Sequence, residues 1–95
     1  MLSIGTDIVK IDRIRDLSKD DKFLNKIFSD KELQYCDMHS DPAIHLSGKY
    51  AAKEAVKKAL LSSNLIDHIS IKSIEVLNNT DKSPYIHIST VKDVK

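Results

Sequence analysis

The sequence predicts an α+β domain in which an antiparallel sheet packs against one long central helix. Three observations carry this prediction. The alanine- and lysine-rich stretch Gly48 to Leu60 reads as a helix, and β-branched residues crowd the N-terminal segment Ser3 to Ile11. Near the C-terminus two further β-rich runs, Ile69 to Leu77 and Tyr85 to Ser89, flank a stretch rich in Asn, Asp and Ser.

Taken in order, Ser3 to Ile11 reads as a strand, with Gly5 marking a bulge or a close backbone approach and Asp7 placed just after it. Asp12 to Leu17 fits a short helix. Asp20 to Phe28 fits a second, with Phe23, Leu24, Ile27 and Phe28 at helical spacing. Ser29 and Glu32 have the spacing of a capping box, so a new helix begins there and carries Leu33, Tyr35 and Cys36. Asp41-Pro42 gives an N-cap acid followed by proline at the first helical position, which starts the long helix. That helix runs to about Leu61 and ends in Ser62-Ser63-Asn64. The segment Asn78 to Pro84 is then a hairpin loop.

The long helix divides into faces at about 100° per residue. Gly48, Ala52, Ala55 and Ala59 form a stripe of small residues suited to close backbone approach. Glu54 and Lys58 share a second face, and Lys49, Lys53 and Lys57 spread over a third.

Ninety-five residues suit a single domain spanning 1–95 with a modest core. With 31% charged and 5% aromatic residues, that core must be mainly aliphatic. A net charge of +1 gives no reason to expect nucleic-acid binding. The single cysteine, Cys36, makes no internal disulfide and reads as a core thiol. His39, His45, His68 and His87 lack metal-ligand spacing. With no early apolar run of signal-peptide or membrane-span length, the expected location is the cytoplasm.

Two hard carboxylates, Asp7 and Glu54, can hold a magnesium ion that takes its other ligands from water and substrate phosphates. Lys58, one turn beyond Glu54, suits a phosphate oxygen as a mobile point charge. Spacing alone does not bring Asp7 and Glu54 together.

The segments IGTDIVKIDRI, FSDKELQYC, GKYAAKEAVKKAL and IEVLNN, in this order, resemble the holo-acyl-carrier-protein synthases, small 4'-phosphopantetheinyl transferases. The resemblance implies a phosphopantetheinyl transferase fold and a magnesium-dependent reaction of fatty acid biosynthesis. In that reaction coenzyme A gives 4'-phosphopantetheine to a serine of apo acyl carrier protein, leaving adenosine 3',5'-bisphosphate. It implies Asp7 and Glu54 as metal ligands, Glu54 as the general base, directly or through water, and Lys58 as the phosphate contact. It assigns Arg13 to carrier-protein docking, whereas Arg15, Lys22 and Lys26 read as ordinary solvated charges. Lys49 and Lys53 are expected to reach coenzyme A phosphates, with Lys49 standing where the family usually has arginine. The family is trimeric, so a homotrimer is expected.

Two departures from the family pattern carry expectations. Lys82-Ser83-Pro84 replaces the family's Gly-Lys-Pro, so the hairpin lacks a glycine suited to positive φ. The sequence stops at Val94-Lys95 where the family continues into a Ser-His-containing strand. This leaves a second reading: an inactive, shortened homologue that binds carrier protein. A third takes the acids as plain surface charges on a structural domain.

Overall fold

The computed structural model describes residues 4–64 and 66–88, with side chains described from Ile11 onward. It is an α+β arrangement: α1 (Ile4–Leu17), α2 (Asp21–Ile27), α3 (Asp30–Asp37) and α4 (Pro42–Ser62), then a 3-10 turn (Ile71–Ser73), β1 (Ile74–Asn78) and β2 (Pro84–Ile88).

The first element departs from the sequence expectation. Residues 4–11 are helical rather than extended and continue without a break into the segment Asp12 to Leu17. Two signals compete here. β-Branched composition favours a strand, but Ile4, Ile8, Ile11, Ile14 and Leu17 recur at three- and four-residue intervals, the helical period. Helix formation is cooperative, so a helix nucleated over the following residues extends at the cost of propensity alone.

The short helices are bounded by their caps. Asp20 accepts from the Lys22 N–H at 2.9 Å and starts α2. The capping box of α3 is complete: Ser29 Oγ accepts from the Glu32 N–H at 3.3 Å, and Glu32 Oε1 accepts from the Ser29 N–H at 2.9 Å. Asp41 precedes α4 as expected, but its side chain makes no cap hydrogen bond. Instead Asp41 Oδ2 accepts from Arg15 at 2.8 Å, tying the end of α1 to the start of α4. Arg15 also bonds Asp12 at 2.8 Å. At its other end α4 closes at Ser62, followed by Asn64 in the left-handed region at φ 63°, a conformation asparagine tolerates.

The helix α4 contacts α1, α3, the 3-10 turn and β1, so the central helix does pack on the sheet. Strands β1 and β2 pair antiparallel, with Ile74 opposite Ile88 and Asn78 opposite Pro84. The expected strand over Ile69 to Leu77 is shorter than the sequence suggests. Its first part is the 3-10 turn, closed by the Ser73 N–H on the Ser70 carbonyl at 3.1 Å and by a 2.8 Å contact between the two hydroxyls. The predicted end of the last strand at Ser89, and the chain end beyond it, lie outside the described residues.

The hairpin loop bears out the missing glycine. Lys82 donates its N–H to the Asn79 carbonyl at 2.9 Å and sits at φ 73°, the left-handed conformation that glycine adopts without a Cβ penalty. The turn is held nonetheless: Ser83 N–H and Oγ both reach Asp81 Oδ1, at 3.0 and 2.6 Å.

Ile14, Phe28, Cys36 and Leu46 form the buried core, with Phe23, Leu24, Ile27, Leu33, Tyr35 and Tyr50 packed against it. The strand β1 is buried on both faces from Ile74 to Leu77, whereas β2 is largely exposed. No helix among the described residues is long and apolar enough to cross a membrane.

Candidate active site

The lysine face of α4, not its small-residue face, turns inward. Gly48, Ala55 and Ala59 are exposed, and a Cβ added at Gly48 would meet nothing within 4 Å. The expected close backbone approach along this stripe is therefore absent among the described residues. Lys49 and Lys53 are buried instead, and their long aliphatic stems make this possible.

Each buried ammonium is satisfied internally. Lys53 Nζ lies 2.6 Å from Glu32 Oε1, with both side chains fully buried. It also faces the Phe28 ring at 5.5 Å. The second oxygen of Glu32 accepts the Val76 N–H at 2.8 Å, so one carboxylate joins the start of α3, the middle of α4 and β1. Lys49 donates to the Val76 carbonyl and to Asn78 Oδ1, the latter at 2.7 Å, and stands 4.6 Å from the Tyr35 ring centre. Burial holds both lysines below their ordinary pKa, opposed at Lys53 by the hydrogen bond and charge of Glu32. Lys49 and Lys53, expected to reach coenzyme A phosphates, have their ammonium groups engaged by these internal partners in this structure. Sequence reading missed Glu32 as the counterpart of Lys53; its capping-box spacing was visible, but a distant lysine and strand amide are not encoded by spacing.

Glu54 faces solvent and stands at the meeting of two hollows. A cleft of about 260 Å³ between α1, α2 and α4 is lined by Arg13, Ile14, Leu17, Phe23, Tyr50 and Glu54. A groove of about 730 Å³ continues along α4, where Tyr50, Glu54, Lys57 and Lys58 face Ile27 and Ile71. Its size is that of a small-molecule site. Neither Lys57 nor Lys58 has an ion-pair partner among the described residues. Lys57, which the sequence reading did not single out, follows Glu54 by three residues and Lys58 by four, so both flank the acid one turn away.

Asp7 belongs to α1, which packs on α4, but its side chain lies outside the described ones. Among the described residues no group of three or more His, Cys, Asp or Glu side chains is arranged to hold a metal. Glu54 is a hard oxygen donor beside a groove suited to phosphates. That fits magnesium, which commonly takes one or two carboxylates and completes its shell with water and substrate oxygens. Cys36 is fully buried, and burial pushes its thiol up to about 11, against the pull of Lys49; it is a core residue rather than a nucleophile. His39 and His45 stack with ring centres 3.7 Å apart, away from Glu54 in the sequence and outside both hollows.

The central helix of this α+β domain carries one acid, Glu54, with Lys57 and Lys58 beside it in one groove, a charge arrangement able to meet phosphate groups. Comparison with known proteins identifies the family. The family model of the 4'-phosphopantetheinyl transferase superfamily matches residues 3–95, and the chain belongs to that family. It is 43% identical over 90 residues to a holo-[acyl-carrier-protein] synthase of Protochlamydia amoebophila, covering 93% of this chain and 73% of that protein. A holo-[acyl-carrier-protein] synthase of Thermodesulfovibrio yellowstonii is 41% identical over 87 residues, covering 90% and 74%. One from Chlamydia muridarum is 46% identical over 82 residues, covering 84% and 65%. No solved structure matches the chain.

Proposed function

We propose that this chain transfers 4'-phosphopantetheine from coenzyme A to a serine of apo acyl carrier protein, as the names of its relatives indicate for them. The observation that carries the reading within the molecule is the position of Glu54, shared by a cleft containing Arg13 and a groove containing Lys57 and Lys58. The carrier protein enters over the Arg13 cleft and coenzyme A lies in the groove, so the acceptor hydroxyl and the donor phosphate meet at Glu54.

In the reaction the serine oxygen bonds to the phosphorus attached to pantetheine. The bond from that phosphorus to the bridging oxygen breaks, and adenosine 3',5'-bisphosphate leaves. Glu54 takes the serine proton, directly or through water. Lys58 holds a phosphate oxygen as charge shifts to the leaving group, where positioning and neutralisation supply most of the catalysis. Asp7 and Glu54 are the residues that would hold magnesium, which supplies charge neutralisation on the diphosphate when bound. Arg13 meets the acidic surface of the carrier protein and steers encounter. Assembly as a homotrimer in the cytoplasm completes the reading.

The test is incubation of the chain with coenzyme A, magnesium and apo acyl carrier protein, with the mass of the carrier followed. Gain of one phosphopantetheine group supports the transferase. Carrier binding without a mass change would instead favour the non-enzymatic binding module, and neither would favour a structural domain.

A further inference from the structure

Lys53 immediately precedes Glu54 on α4, yet the two side chains have opposite fates: one is fully buried and the other exposed. A long amphipathic helix can rotate about its axis unless something fixes its setting. Small residues cannot do this here, because the Gly48–Ala59 stripe faces outward and touches no packed neighbour at Gly48. The apolar residues of α4 that reach the core are Ala43, Leu46 and Tyr50; beyond Glu54 its apolar side chains are half-buried or exposed. The middle of the helix is fixed by two buried lysines one turn apart: Lys49, bonded to the Val76 carbonyl and Asn78, and Lys53, next to Glu54, whose ammonium sits 2.6 Å from Glu32.

Glu32 cannot follow a moving lysine. Its Oε1 also accepts the Ser29 N–H at 2.9 Å, and its Oε2 accepts the Val76 N–H at 2.8 Å. The carboxylate is therefore anchored to two backbone amides from different elements before it meets the lysine. Rotation that carried Lys53 toward water would strand a buried carboxylate, a large penalty that leaves the helix one acceptable setting. In that setting the next residue, about 100° round the helix, points Glu54 at the junction of the two hollows.

We propose that Glu32 and Lys53 form a positioning pair: a buried ion pair that sets the rotation of α4 and so aims Glu54 at the reacting atoms without touching substrate. The proposal rests on the transferase reading for its kinetic test and on geometry alone for its structural one.

The variant Glu32→Gln/Lys53→Met removes both charges while keeping side-chain volume and an acceptor for the Val76 N–H. It is compared with Leu46→Ala, a core variant that disturbs packing but not the pair. At a temperature where both are folded, the double variant should lose kcat by roughly tenfold to a hundredfold, as expected for a misplaced catalytic group. Its KM for coenzyme A and for carrier protein should stay within about twofold, as should kcat in Leu46→Ala. Unchanged kcat in the double variant, or an equal loss in Leu46→Ala, would overturn the proposal. Native-state hydrogen exchange on the unmodified chain tests it without activity or substitution. The amides of residues 54–58 and that of Val76 should exchange in one cooperative opening; independent opening would overturn the pairing even if turnover proves absent and the transferase reading fails alone.

Discussion

Arg13 and Glu54 line the same cleft, one reaching it from α1 and the other from α4, although most of the first half of the chain separates them in sequence. On the other side of Glu54, Lys58 lines the groove. In the proposed reaction Arg13, Glu54 and Lys58 serve as docking residue, acid and phosphate contact along the surface that joins the two hollows, with the two substrates meeting the acid from opposite sides.

That order predicts opposite kinetic signatures for the two cations. Arg13→Glu should raise KM for the acidic carrier protein more than KM for coenzyme A, and added salt should shrink the difference. Lys58→Met keeps length and helix propensity but removes the charge, so it should raise KM for coenzyme A and lower kcat while leaving KM for carrier protein near its starting value. Steady-state kinetics with each substrate varied in turn checks both. Equal effects on both substrates would move either residue out of its assigned half of the site.

The hairpin offers a stability gain. Lys82 occupies a left-handed conformation at φ 73°, where a Cβ is disfavoured. Lys82→Gly should stabilise the domain by about 1 kcal/mol, less the chain entropy that glycine adds to the unfolded state. For a domain of this size a gain of 1 kcal/mol corresponds to a rise in Tm of roughly 4 to 8 °C. Thermal melts of the two proteins read it, and activity should be unchanged because the loop lies away from Glu54.

Cys36 makes stability depend on alkaline pH. Its thiol is raised by burial from 9.0 to about 11, so between these values the folded chain holds a proton that the unfolded chain releases. The contribution is fully present below pH 9 and is lost as pH rises toward 11, to the extent of about 2 to 3 kcal/mol. Lys49 and Lys53 act with the opposite sign. Burial lowers them from 10.5, so unfolding takes up protons and their contribution grows as pH climbs toward that value. The clean readout is the difference in unfolding free energy between the unmodified chain and Cys36→Ala. That difference should be flat below pH 8 and shift against the unmodified chain between pH 9 and 11.

Much of this architecture is legible in the sequence where the signal is local. Ser29 with Glu32 marks the start of α3 because a capping box acts within one turn, and Pro42 marks that of α4 because proline suits the first helical position. The hairpin and its unfavourable Lys82 are equally local. The N-terminal helix was not legible, because β-branched composition and helical spacing of Ile4, Ile8, Ile11 and Ile14 point to different structures over the same residues. The inward turn of Lys49 and Lys53 was hidden for another reason. A lysine reads as solvated until its partners are known, and here they are Glu32, the Val76 carbonyl and Asn78, brought from α3 and β1 by the tertiary fold. Glu54 was legible as a candidate, whereas its position between two hollows follows from how α1, α2 and the 3-10 turn close around α4.

The central claim is that Glu54 serves the reaction and not the fold. It is exposed and lies outside the buried core, so Glu54→Gln should melt within a few degrees of the unmodified chain. The decisive measurement is single-turnover transfer from coenzyme A to apo acyl carrier protein with magnesium present, comparing the two proteins at equal folded concentration. The account predicts a loss of roughly a hundredfold or more in the transfer rate, the scale of a general base that also binds a metal. Transfer by Glu54→Gln at the rate of the unmodified chain would contradict it.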